Sequence, residues 1–98
     1  MGYKVHFPSA SIEKKFEKAL EEVFPSPLRL QIASEMEKLA DIPRPYGNPK
    51  LKPPIHVYSY IAQYRLRVGN YRILYDVDDS RKIVWILDLR KRSERTYL

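Results

Sequence analysis

Residues 64–92, YRLRVGNYRILYDVDDSRKIVWILDLRKR, alternate polar and apolar side chains with a period of two, the spacing of β-strands that bury one face. Tyr64, Leu66 and Val68 fall on one side, with Arg65 and Arg67 on the other. After the turn pair Gly69-Asn70, Tyr71, Ile73, Tyr75 and Val77 share a face and Arg72 stands opposite them, the pattern of a β-hairpin. A second turn at Asp78-Asp79-Ser80-Arg81 leads to a further strand over about 82–90. Three strand segments are predicted, at 57–68, 71–77 and 82–90.

The first half has a different period. Tyr3, Val5 and Phe7 alternate with Lys4 and His6 in a short strand closed by Pro8. Ser9 or Ser11 then caps a helix with Ile12, Phe16, Ala19, Leu20, Val23 and Phe24 at three- and four-residue steps, ended by Pro25. A second helix opens at Ser26-Pro27, with Ser26 as cap, and carries Leu28, Ile32, Met36 and Leu39 on one stripe. Residues 41–54 hold five of the eight prolines and read as a stiff loop. The order β-α-α-β-β-β gives an α+β fold, an antiparallel sheet with an N-terminal helical hairpin packed on one face.

Ninety-eight residues suit one domain, expected over 1–98. No cysteine is present, which excludes disulfide and thiolate chemistry. His6 and His56 are about fifty residues apart and make no metal signature. No apolar run approaches the roughly 20 residues that span a bilayer, and no signal-peptide pattern opens the chain, so a cytoplasmic location with no membrane partner is expected. The net charge is +6, and residues 56–98 carry nine Lys/Arg against five Asp/Glu, or +4 of that excess. The positive field leans toward the strands and tail, which favours an acidic partner.

Arg65 and Arg67 on one strand face, Arg72 on its hairpin partner and the basic run from Arg90 to Arg95 make an anion surface suited to phosphate. Plainer readings stand beside this one. Arg65 and Arg67 suit the solvated face of a half-buried strand, Arg72 an ion pair with Asp76 or Asp88, and the C-terminal cluster a general polyanion tail. Trp85, Tyr71, Ile73 and Tyr75 read as core before they read as a base-stacking platform.

The order of elements, the segment YRLRVGNYRILYDVDD and the basic stretch followed by Tyr97 resemble the RelE/ParE toxin superfamily of toxin–antitoxin modules. For RelE-type members the resemblance implies a ribosome-dependent mRNA endonuclease acting on A-site mRNA, neutralised by a cognate antitoxin and needing no cofactor. Carried over by position, Arg72 falls on the family's hairpin arginine, Arg92 on its catalytic arginine and Tyr97 on its terminal tyrosine, while Lys91 stands where many relatives have histidine. Cleavage chemistry then gives Arg72 and Arg92 the phosphorane charge, Tyr97 between Arg92 and Arg95 the role of general base, and Lys91 or water that of acid. Arg65, Arg67, Arg90 and Arg95 hold the RNA. ParE-like members of the same fold inhibit DNA gyrase without cutting RNA, and an inactive basic RNA-binding domain is a further alternative.

Overall fold

The computed structural model describes residues 2–46 and 50–92. The elements run β1 (Lys4–His6), α1 (Ala10–Glu21), α2 (Ser26–Lys38), β2 (Ile55–Val57), β3 (Tyr60–Ala62), β4 (Tyr64–Val68), β5 (Tyr71–Asp78) and β6 (Ile83–Lys91). Four strands make one sheet in the order β1-β6-β5-β4, antiparallel between β4 and β5 and between β5 and β6. The α+β class and the helical hairpin hold.

Two features depart from the expected arrangement. β1 lies parallel to β6, pairing Val5 with Val84; such a pairing joins the two ends of the chain and leaves no local signal. The expected strand 57–68 is broken at Tyr58-Ser59, where Tyr58 takes a φ of 55°. β2 and β3 form a separate two-stranded ribbon, and β4 alone joins the main sheet.

Apart from Ile12, the apolar stripes of both helices pack on one face of that sheet. Phe16 and Val23 from the first segment and Ile32 and Leu39 from the second meet Tyr64, Leu66, Val68, Ile73, Tyr75, Val84, Ile86 and Leu89. Each such side chain contributes about 1.5–3 kcal/mol when fully buried. Ser9 caps α1, its Oγ accepting the Ile12 N–H at 3.1 Å. Ser26 does not cap α2: Pro25 holds that position and Ser26 opens the first turn. Phe24 is 82% exposed, because α1 ends at Glu21 and the chain leaves helical phase before reaching it.

The other face is divided. At one end the β2–β3 ribbon covers Leu74 and Leu87, with Ile12, Val57 and Ala62 completing a second cluster. A bulge at Leu74/Tyr75 opposes those residues to Asp88 and Ile86, so Leu87 is the extra residue of β6. The far end of this face is not roofed by the ribbon, and the arginines lie there.

Candidate functional site

Register builds the site. Arg67 pairs with Arg72 and Arg72 with Arg90. Directly paired residues project to the same side of a sheet, and strands lie about 4.8 Å apart, so three guanidinium stems stand abreast within roughly 10 Å. Arg65 joins them two residues along β4, on the same side as Arg67. Arg92 continues the β6 register past Arg90. Its N–H donates to the Asn70 carbonyl at 2.6 Å, which ties the end of the strand to the hairpin turn and sets Arg92 diagonally beside Arg72.

The crowding has an electrostatic consequence. Burial first, and then the guanidinium groups of Arg67, Arg72 and Arg92, hold Arg65 below the ordinary arginine range. Among the described residues no carboxylate forms an ion pair with Arg65, Arg67 or Arg72. Asp88 instead takes Arg90, Nε to Oδ2 at 2.8 Å, so the ion pair open to Arg72 in the sequence is made by its neighbour. Like charges of which Arg65, Arg67 and Arg72 have no carboxylate partner among the described residues make a surface that an anion relieves.

The expected site residues divide three ways. Arg65, Arg67, Arg72, Arg90 and Arg92 come together. Lys91 pairs with Tyr71, whose ring packs against the helix-side core, and so projects from the opposite face. That placement separates Lys91 from the arginines and leaves it poorly positioned as an acid. Tyr97 and Arg95 lie outside the described residues. Ile73 and Tyr75 are core, as expected, while Trp85 sits on the ribbon side in tilted contact with His6.

A second polar cluster had no counterpart in the sequence reading. Arg44, fixed between Pro43 and Pro45, donates through Nη1 and Nη2 to the two oxygens of Asp79 at 3.1 and 2.8 Å and through Nε to the Tyr64 hydroxyl at 3.0 Å. The Tyr3 hydroxyl donates to the same Asp79 at 2.6 Å, and the Tyr75 hydroxyl donates to the Pro43 carbonyl at 2.8 Å. Arg44 and Tyr3 hold the Asp79 carboxyl below its usual range, and desolvation lifts the Tyr75 phenol well above its own. These bonds latch the proline-rich loop to the sheet. The prolines around Arg44 were its only hint.

The family described as ParE toxin of the type II toxin–antitoxin system, parDE, matches residues 7–96. The chain belongs to this toxin family. Among solved structures it is similar to the archaeal RelE–RelB complex from Pyrococcus horikoshii, at 25% identity and a TM-score of 0.68, covering 96% of this chain and 99% of that one. A mutant of the E. coli toxin RelE in the free state shares 20% identity at a TM-score of 0.57, covering 99% of this chain and 90% of that one. The RelBE2 toxin–antitoxin complex of Mycobacterium tuberculosis shares 23% identity at a TM-score of 0.53, covering 94% of this chain and all of that one. No curated protein sequence matches the chain. The fold is thus that of the RelE toxins, and the family places the chain in type II toxin–antitoxin systems. Among the described residues no helix is long and apolar enough to cross a membrane, and no group of three or more His, Cys, Asp or Glu is placed to hold a metal ion.

Proposed function

We propose that this toxin is a ribosome-dependent mRNA endonuclease, neutralised by a cognate antitoxin. The observation that carries the reading is the row Arg67, Arg72 and Arg90 across three strands, flanked by Arg65 and Arg92. Cleavage by the adjacent 2′-hydroxyl requires that hydroxyl to lose its proton, the pentacoordinate phosphorane to be stabilised, and the departing 5′-oxygen to gain a proton. Fixed guanidinium groups serve the second need. They donate in a planar fork to equatorial oxygens and cost no reorganisation when charge develops.

Arg72 and Arg92 take that role, with Arg65, Arg67 and Arg90 holding the backbone on either side. A tyrosine pKa of about 10 falls beside guanidinium groups, which favours phenolate, so Tyr97 is the base in this reading. Water supplies the acid, since Lys91 projects from the other face. With so few acid–base groups, catalysis leans on a substrate held in a reactive geometry, and the ribosome is the holder.

The test is cleavage of mRNA on programmed ribosomes. Arg72→Ala and Arg92→Ala are each expected to lower the rate about 10²–10³-fold, the effect of losing one well-placed charge-stabilising donor, and Tyr97→Phe to remove most of the remainder. Equal cleavage by all four proteins would remove the assignment. The family match to ParE favours a second reading, inhibition of DNA gyrase without RNA cleavage. Loss of supercoiling activity in a purified gyrase assay, with translation intact, would establish it instead.

A further inference from the structure

Between the latched loop and the edge of β4 lies an open cleft of about 400 Å³, lined by Arg44, Tyr46, Lys50, Arg65 and Arg67 among others. That volume falls within the range of roughly 300–1,000 Å³ typical of ligand clefts. It is continuous with the arginine row, because Arg65 and Arg67 belong to both. A larger depression of about 900 Å³ adjoins it, but Asp76 and Asp79 line that one together with Arg44, Lys50 and Lys52. Its mixed charge suits a polyanion less well.

Tyr46 gives the smaller cleft its character. The residue is 58% exposed, yet it is not free to swing. Its hydroxyl accepts the Arg67 N–H at 3.4 Å, on the edge of a sheet where such a donor has no partner strand. The backbone just before it is fixed by the Arg44 latch to Asp79 and Tyr64 and by the Pro43 carbonyl bond to Tyr75. A ring held at its tip and root, with solvent at its flank and cations around it, offers a flat apolar surface inside a positive field. A nucleobase attached to a phosphate matches both properties, and a ring already fixed loses little entropy on stacking.

We propose that Tyr46, with Lys50 and Arg65 beside it, forms a stacking subsite for one base of a single-stranded RNA whose backbone crosses Arg67, Arg72 and Arg90. The inference rests on the RNA-cleaving reading and adds to it a contact to a base rather than to a phosphate. Stacking is tolerant of base identity, so the subsite positions the strand and does not read its sequence.

Fluorescence anisotropy with two probes tests it: a short labelled single-stranded RNA, and the same ribose–phosphate chain without bases. Tyr46→Ala is expected to weaken binding of the ordinary RNA about 10- to 100-fold, the range of one lost base–aromatic stack, and to leave the abasic chain unchanged. Tyr46→Phe keeps the ring but loses the bond from the Arg67 N–H, and is expected to bind the ordinary RNA a few-fold more weakly than the unaltered protein yet more tightly than Tyr46→Ala, and the abasic chain unchanged. Arg67→Ala is expected to weaken both probes alike. Should Tyr46→Ala bind the ordinary RNA normally, weaken both probes equally, or match Tyr46→Phe, the subsite is excluded while a loss in Arg67→Ala preserves RNA binding by the row. Failure of the unaltered protein to bind either probe overturns the subsite and the RNA reading together.

Discussion

Among individual side chains, Asp76 and Asp79 carry opposite signs of pH dependence. Asp76 is half-buried in β5, directly opposite Trp85. Burial raises its pKa, and the Val77 N–H and the Lys50 charge pull it back only in part. A carboxyl raised above its unfolded value of about 3.9 destabilises the fold once it ionises, so its cost is absent at low pH and grows as pH rises through the native pKa. Asp76→Asn is therefore expected to raise Tm by a few degrees at pH 7, the gain shrinking toward zero as pH falls to about 4. Calorimetry across that pH range checks it, and a gain that persists undiminished at pH 4 would mean the charge is not the cause. Asp79 behaves in reverse. Its pKa is depressed by Arg44 and Tyr3, so the latch holds above the ordinary carboxylate range and weakens as acid protonates it. At this scale the sheet arginines were legible because strand period assigns a face. Arg44 was not, since its partner lies thirty-five residues away on a different turn and nothing in the spacing announces the pair.

Turns decided which elements could be read in advance. Gly69 has a φ of 59°, which L side chains adopt at a cost of about 1–2 kcal/mol, and the Gly-Asn pair announced its hairpin directly. The Tyr58-Ser59 turn has no such pair, so the alternation on either side looked continuous and the β2–β3 ribbon was hidden inside one long strand. The parallel pairing of β1 was hidden for another reason: the two strands stand at opposite ends of the chain, and only the finished sheet offers the edge. Gly69 also faces α2. A Cβ there would come within 3.1 Å of Leu28 Cδ1, tighter than ordinary packing. Gly69→Ala is thus expected to cost about 1–2 kcal/mol and lower Tm by roughly 5–10 °C for a domain of this size. Because Asn70 anchors Arg92 through its carbonyl, the same change is expected to lower mRNA cleavage more than its effect on the folded fraction explains. Thermal melts and cleavage rates on one preparation separate the two, and a variant as stable as the parent would show that Leu28 and the backbone yield freely.

Across the whole molecule, the positive charge is arranged and not merely abundant. The helix-bearing face buries its residues against α1 and α2, the β2–β3 ribbon roofs part of the other, and the arginines occupy the part left open. If that part binds RNA through phosphates, affinity must fall with salt in proportion to the contacts made, with log K changing by about 0.7 per contact for each tenfold change in salt on single strands. Five arginines set an upper slope near −3.5, and ion pairing such as that of Arg90 with Asp88 makes the expected slope shallower than that limit. Arg72→Ala is expected to make the slope shallower by about 0.7. Asp88→Asn releases Arg90 and is expected to steepen it while leaving Tm nearly unchanged, since an exposed pair contributes about 0–1 kcal/mol. The three proteins titrated with one RNA at several salt concentrations give three slopes whose order is fixed in advance. A common slope near zero would mean that phosphate is not what this face binds, and a common steep slope would mean that contacts are spread over the basic surface instead of gathered at the row.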